Sequence, residues 1–360
     1  MDKKIKVGVV GIGGIGRGTH LDAWTTNPNV EVIAVCDILR DRAERASQKH
    51  GIPHVFEDYK DLIALEELDL VDICTPNKFH SEIAVAALNA GKNVMCEKPD
   101  AINNEEVLKM QQAYEKSGKL LMVMRNNRFT AESAFVKKYV QDGKMGEVYY
   151  AKCGWVRRRG IPGKGGWFTT KELSGGGPLI DLGVHMMDLT IWLMGNPRPV
   201  SVVGSTYSKF GESSTKADTV NATFGDAKAD GIYDVEDLAT GYVKFDNGAT
   251  MVIEFSWAEN IETEDRYYEL MGTKAGAKWH SGYNNGKLSI FGEEQGITTN
   301  IEPNFKKSGK REQHAGNLDH VVDCLLGKAE PIFKPQQGVD MIKIISAIYE
   351  SAETGKEVIL

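Results

Sequence analysis

Lys4-Ile5-Lys6-Val7-Gly8-Val9-Val10-Gly11-Ile12-Gly13-Gly14-Ile15-Gly16 is the stretch whose reading decides the fold. Residues 4–10 form an apolar run of the kind that a buried parallel strand requires. Glycines follow, and then helical spacing through Leu21 to Thr25. A second strand, Val30 to Cys36, ends at Asp37. The pattern is therefore G-x-G-x-x-G between a strand and a helix, with an acidic residue about twenty positions on, which points to dinucleotide binding. Gly11 allows the tight turn, Gly13 lets the main chain approach a pyrophosphate, and Gly16 lets helix and strand come close. Gly14 and Ile15 complete the loop, and the helix N-terminus offers unpaired N–H groups to the phosphates. The bland alternative is a tight turn with no ligand.

Asp37 bears on which dinucleotide. Its carboxylate would accept hydrogen bonds from a ribose diol but would face a 2′-phosphate as like charge. Such a pair at about 4 Å costs about 4 kcal/mol at an effective dielectric near 20. NAD is favoured over NADP, a preference that Arg40 and Arg42 would weaken unless they lie on the following helix.

Outward from this stretch, strands and helices alternate. Helical spacing runs over Leu39–Lys49, Tyr59–Leu65, Ser81–Ala90 and Asn103–Ser117, and strands are expected near His54–Phe56, Leu70–Cys74, Asn93–Cys96 and Leu120–Met124. That is the pattern of a doubly wound parallel sheet, in which ligands bind beyond the carboxyl ends of the strands. Thr75, Asn77, His80, Glu97 and Lys98 fall there. For Lys98 the plain alternative is a solvated loop lysine.

After Met124 the texture changes. One amphipathic helix, Ala131–Gln141, precedes runs with polar alternation: Val148–Arg158, Pro199–Ser208, Leu238–Phe245, Thr250–Trp257 and Tyr267–Met271. Asp246-Asn247-Gly248 reads as a hairpin turn, and the whole as an open, mostly antiparallel sheet. Arg311–Leu326 and Gln337–Ser351 read as helices, and Gly211–Asp230 as an exposed polar excursion. The fold class is α/β in two domains, residues 1–125 and 126–360.

A helix from Pro178 to Gly195 interrupts the strand series, with proline at its first turn and glycine at its stop. It is apolar on two stripes, and Asp181, His185 and Asp188 stand between them at i, i+4 and i+7. A helix apolar on nearly every side is buried, and buried carboxylates and imidazoles need partners. Either these residues satisfy one another or they do chemistry. A metal reading needs a third ligand; beyond Asp188 no cysteine or second histidine is placed by the sequence, so no metal is expected.

The net charge of −7 and the absence of a basic block beyond Arg157-Arg158-Arg159 argue against nucleic-acid and anionic-membrane partners. No signal peptide or membrane-length apolar run is apparent. The five cysteines are odd in number and lack C-x-x-C spacing, and three of them close strand runs, as small buried hydrophobes do. A cytoplasmic location is the expectation.

An alcohol-oxidising nicotinamide enzyme needs a base for the hydroxyl proton and a cation near the oxygen. His185 can take the proton, Asp181 can orient the imidazole, and Lys98 can polarise the oxygen. At this point the chain resembles the glucose–fructose oxidoreductase / inositol dehydrogenase family. The resemblance rests on the glycine loop, Thr75-Pro76-Asn77-x-x-His80, Glu97-Lys98-Pro99 and Gly176-Gly177-Pro178-Leu179-Ile180-Asp181-x-Gly183-x-His185-x-x-Asp188. It implies an N-terminal Rossmann domain, a C-terminal α/β domain whose open sheet forms a homodimer or homotetramer interface, and NAD(P)-dependent oxidation or reduction of sugars, inositols and related polyols. By resemblance Lys98, Asp181 and His185 are catalytic, and Thr75, Asn77, Glu97 and Pro99 line the nicotinamide end. Some relatives carry tyrosine in place of His185. Arg128, Arg158 and Trp167 are candidates for sugar contacts, since arginine and tryptophan suit hydroxylated rings. Two other classes stay open: a glycosidase acting by transient oxidation and elimination, and a non-catalytic NAD sensor.

Overall fold

The computed structural model describes residues 4–211, 219–220, 222, 225–283, 286–306 and 309–360. Its first elements are β1 (Ile5–Val10), α1 (Leu21–Thr25), β2 (Val30–Cys36), α2 (Arg40–His50), β3 (His54–Phe56), α3 (Tyr59–Ile63), β4 (Leu70–Ile73), α4 (His80–Asn89), β5 (Asn93–Cys96), α5 (Asn104–Ser117) and β6 (Leu121–Val123). The six strands order as β3-β2-β1-β4-β5-β6, and every pairing is parallel. Strand order reverses between β1 and β4, which places the binding crevice beyond their carboxyl ends. Val7 and Val9 are wholly inaccessible, as a strand covered on both faces demands. Between the glycine loop and α1 the chain makes one π-wound turn, Gly16–His20.

A second set follows: α6 (Ala131–Gln141), β7 (Val148–Val156), α7 (Lys171–Ser174), α8 (Pro178–Asp181), α9 (Gly183–Leu193), β8 (Pro199–Tyr207), β9 (Leu238–Phe245), β10 (Thr250–Ser256), β11 (Asp265–Gly272), β12 (Gly276–His280), β13 (Leu288–Glu294) and β14 (Ile297–Ile301). With β15 (Val358–Ile359) these strands form a nine-stranded sheet, β14-β13-β12-β11-β7-β10-β9-β8-β15. Among the described residues, only β7 and β10 of this sheet pair in parallel. β9 and β10 form the hairpin expected at Asp246-Asn247-Gly248, with Gly248 left-handed at φ 84°. Part of the polar excursion expected at Gly211–Asp230, namely residues 212–218, 221 and 223–224, lies outside the described residues.

The stretch read as one helix from Pro178 to Gly195 is two, meeting at Leu182, which stays right-handed at φ −96°, ψ −35°. Glycine at 183 lowers helix propensity there. It also admits the neighbours: a Cβ would lie 3.1 Å from Met187 Cε and 3.3 Å from the Phe255 ring. Gly195, at φ 98°, ends the helix as read.

The chain closes with α10 (Gln313–Leu325) and α11 (Pro335–Thr354). It divides into two compact units, Met1–Phe129 with Lys310–Ile342, and Thr130–Gly309 with Lys343–Leu360. Residues 310–342, placed by sequence order in the second domain, thus belong to the first unit. Leu318, Val321, Val322 and Phe333 lie in one core with β1, β4, β5 and β6. Asn317 Oδ1 accepts the Arg125 N–H at 2.7 Å, and Arg125 pairs with Asp100 at 2.6 Å in full burial. No helix among the described residues is long and apolar enough to cross a membrane.

Candidate active site

The glycine loop has the geometry that its motif requires. Gly11 is left-handed at φ 93°, and a Cβ there would stand 2.6 Å from the main chain of Cys74. At Gly16 a Cβ would overlap the Gly11 carbonyl oxygen and lie 3.2 Å from Cys74 Cβ. At Gly13 and Gly14 it would meet nothing within 4 Å. Two glycines therefore serve the protein's own packing, and two border open space. Ile15 is half-buried at the head of the π-wound turn.

Asp37 serves the loop directly. Its Oδ2 accepts the Ile12 N–H at 2.8 Å and its Oδ1 the Leu39 N–H at 2.9 Å. A carboxylate has about four lone-pair sites, so acceptor capacity remains for a diol. Arg40 is on α2, its guanidinium engaged by Glu44 at 2.7 Å and Glu57 at 3.4 Å.

At the end of β4 the Thr75 hydroxyl is buried with no partner among the described residues. The His80 ring is wholly buried, with Nδ1 2.8 Å from the Pro99 carbonyl oxygen and Nε2 2.9 Å from that of Thr75. The ring thus lies between the main chains of the two loops, and as a neutral imidazole it donates to one of these two carbonyl oxygens. Burial outweighs these bonds and lowers its pKa below 6.5. Asn77 is buried in the turn that precedes α4. The Lys98–Pro99 peptide is cis; Lys98 is half-buried and donates its main-chain N–H to Glu97 Oε2 at 3.1 Å. Glu97 itself turns inward to His20, at 2.7 Å.

His20 is a residue that the sequence reading missed, although its place four residues after Gly16 on the buried side of the first helical turns was a usable signal. With Asp72 and Cys74 it forms a buried group of metal-ligand residue types whose ligand atoms lie within 4.8 Å of one another. Both His20 nitrogens are hydrogen-bonded to carboxylates, and burial pushes the Cys74 thiol up to about 12. That donor set suits a hydrogen-bonded cluster better than a metal, which needs neutral imidazole and thiolate.

In the second unit, Gly176 and Gly177 explain the motif that carries Asp181. A Cβ on Gly176 would overlap the Tyr349 hydroxyl, and one on Gly177 the Glu236 carbonyl oxygen. The Glu236 carboxylate accepts the Gly177 N–H at 2.9 Å, the Leu179 N–H at 3.1 Å and the Tyr349 hydroxyl at 2.9 Å. It caps α8 at the end where negative charge is favourable. Asp181, at the other end of α8, is 7 % exposed and accepts the Trp257 indole N–H at 3.0 Å. His185 is half-buried, its ring centroid 5.8 Å from that of Trp155. Asp188 is buried on the same helix.

Two guanidiniums attend Trp155, Arg157 at 5.1 Å and Arg266 at 5.0 Å from the ring centroid. Burial lowers the pKa of Arg157, and the charges of Asp181 and Glu264 oppose that shift. Arg266 also lies over Trp279 at 5.1 Å, and among the described residues its guanidinium meets no acceptor. The structure thus brings Arg157 toward Asp181, whereas Arg158, the sequence candidate, is exposed. Arg128, another candidate for sugar contacts, lies in the first unit. It is buried and bonded to the Ile332 carbonyl oxygen at 2.9 Å and to Gln337. Trp167 stacks on Phe168 at 3.8 Å.

An open loop face at Gly13, an orphaned buried hydroxyl at Thr75 and a diol-accepting carboxylate at Asp37 fit a dinucleotide. Fold and loop together define a nucleotide-binding oxidoreductase. Residues 5–125 match the family described as "Oxidoreductase family, NAD-binding Rossmann fold", and residues 137–360 its "Oxidoreductase family, C-terminal alpha/beta domain". The chain belongs to this glucose–fructose oxidoreductase / inositol dehydrogenase family of NAD-binding oxidoreductases. It is 32% identical over 359 residues to D-glucoside 3-dehydrogenase of Escherichia coli, covering 98% of this chain and 97% of that one. It is 28% identical over 285 residues to levoglucosan dehydrogenase of Pseudarthrobacter phenanthrenivorans, covering 76% and 72%. A solved levoglucosan dehydrogenase in complex with NADH shares the fold, with a TM-score of 0.85 over 99% of both chains at 22% identity.

Proposed function

We propose that this enzyme oxidises a secondary hydroxyl of a sugar or glycoside, with NAD as the hydride acceptor. Support for the substrate class comes from the full-length similarity to a protein named D-glucoside 3-dehydrogenase. In this reading His185 takes the hydroxyl proton, and Asp181 stabilises the imidazolium that forms. Lys98 polarises the substrate oxygen as the alcohol becomes a ketone. Arg266, whose guanidinium meets no acceptor among the described residues, and Arg157 offer hydrogen bonds to neighbouring hydroxyls. Thr75, Asn77 and Pro99 border the nicotinamide, and the loop from Gly11 to Gly16 holds the pyrophosphate. The observation that carries the reading is the buried Asp181 carboxylate, set by a glycine-dependent cap at one end of α8 and held by Trp257 at the other.

The proposal includes a cytoplasmic location and a homo-oligomer formed through the second unit's sheet. Val203, Tyr242 and Val252 stand in register across β8, β9 and β10 and are exposed at 45%, 37% and 36%. The decisive experiment incubates the enzyme with NAD and a panel of glycosides, aldoses and inositols while following NADH absorbance. Net NADH formation with a glycoside or sugar is expected. Glycoside cleavage without NADH would overturn the reading in favour of redox-assisted elimination.

A further inference from the structure

Residues from three separate segments close on one imidazole. His20 ends the π-wound turn after the glycine loop and is wholly inaccessible. Its Nδ1 lies 2.8 Å from Asp72 Oδ2, on β4, and its Nε2 lies 2.7 Å from Glu97 Oε1, just beyond β5. A neutral imidazole donates from one nitrogen only, so contacts to two ionised carboxylates, which only accept, are satisfied together when both nitrogens carry protons. Burial, the largest single influence, opposes that charge, but Asp72 and Cys74 together outweigh it, and the ring titrates well above 6.5. Burial likewise pushes the Glu97 carboxyl up, yet the bond and charge of His20 hold it far below the usual range.

Two further titratable groups face this set and bear on it: Cys74 adds to the rise of the His20 pKa, and His314 Nε2 lies 4.0 Å from Glu97 Oε1. Cys74 stays a thiol 3.8 Å from Asp72, whose Oδ2 also accepts the Trp24 indole N–H at 2.7 Å. His314 on α10 stands edge-on at 6.3 Å, and burial keeps it below 6.5. What remains is a set of two carboxylates and one imidazolium, one negative charge in excess, and Lys98 follows it directly in the chain. The Lys98 charge also acts on Glu97. A buried ion pair is weak as a source of stability, because an apolar replacement of equal shape does as well. Its value here is directional. One Glu97 oxygen is taken by His20, which leaves the other for the Lys98 main chain at 3.1 Å.

We propose that His20 is a positioning residue for Lys98: its doubly protonated ring fixes the Glu97 carboxylate, and that carboxylate holds the Lys98 main chain and supplies the negative charge beside its ammonium. The inference rests on the reading of Lys98 as the group that polarises the substrate oxygen. Without the ring, the buried Asp72 and Glu97 carboxylates both lose their cationic partner, and Glu97, no longer held down against burial, takes up a proton more readily. Glu97 then loses charge at a pH where the native enzyme keeps it.

Two measurements test this. In the whole protein labelled with ¹⁵N-histidine, the His20 ring nitrogens are expected to read as imidazolium above neutral pH, and in Asp72→Asn to become neutral at lower pH than in the native enzyme. A neutral His20 ring at neutral pH in the native protein would overturn the proposal. The His20→Gln enzyme is expected to keep the native KM for NAD, while the acid limb of its kcat/KM profile for the substrate moves up by about one pH unit or more, a tenfold loss per unit on that limb. A His20→Gln profile that superimposes on the native one would sink the proposal, even with a lowered Tm. Should that variant not fold, the labelled native protein and Asp72→Asn decide. Native turnover in Lys98→Ala would instead remove the reading on which the inference stands.

Discussion

Substituting the glycine loop one position at a time separates packing from ligand binding. At Gly13 a Cβ meets no protein atom within 4 Å, and the residue is not among those with positive φ. Gly13→Ala should therefore leave Tm unchanged or raise it, since alanine at a tolerated φ stabilises by about 0.4–1 kcal/mol through the unfolded chain. The same methyl would project where the dinucleotide's phosphates approach the main chain. Losing one N–H bond to a charged phosphate, at about 1.5–3 kcal/mol, raises Kd for NAD by roughly 10- to 100-fold. Gly16→Ala should behave differently. Its Cβ would overlap the Gly11 carbonyl oxygen, so main chain must move. Overpacking of this kind costs about 1–3 kcal/mol, and both Tm and NAD affinity should fall. The assay is fluorescence titration with NADH beside thermal unfolding without it. A Gly13→Ala protein that binds NADH like the native one would refute the claim that the open face of the loop receives the phosphates.

Further outcomes follow from other parts of the structure. Lys98→Ala and His185→Ala should each cut turnover by about 10² to 10⁴, the share of a positioned acid–base group, and unchanged NADH production would reject the assignment. Asp100→Asn leaves the buried Arg125 guanidinium without its counter-charge, and loss of one partner of such a pair costs about 3–5 kcal/mol. Urea unfolding checks this, and a midpoint that does not move would show that the pair is dispensable. The pH dependence of stability has two limbs. Burial holds His80, His314 and His320 below 6.5, so the unfolded chain binds more protons there, and their contribution is lost as pH falls through their folded values. His20, raised well above 6.5, stabilises fully below 6.5, and its contribution is lost as pH rises through the raised value. Chemical denaturation across pH should show both limbs, with His80→Gln flattening the acid one.

Much of the site was legible from the chain alone because its signals are local. Gly11 is dictated by its own left-handed backbone, and Gly16 by the Gly11 carbonyl oxygen five residues earlier in the same loop. Pro178 and Gly195 mark helix ends by their own backbone chemistry. Lys98 follows a strand, and strand ends are where such sheets place ligands. The apolar runs of β1, β4 and β5 specify a parallel sheet because each must be covered on both faces.

Tertiary structure decided whatever depends on a partner far along the chain. Leu318, Val321 and Val322 form an ordinary amphipathic stripe, and nothing local says that it completes the core of the first unit. Arg157 and Arg158 are adjacent and chemically identical; just past the end of β7, the chain buries one near Asp181 and leaves the other exposed. Arg128, a sugar-contact candidate in the sequence, is bonded in the folded chain to the Ile332 carbonyl and Gln337. His20 is a lone histidine on a helix until β4 and β5 bring two carboxylates to its ring. Hydrophobic periodicity is carried by each segment on its own, whereas the charge state and hydrogen-bond partners of a buried side chain belong to the segments that pack around it.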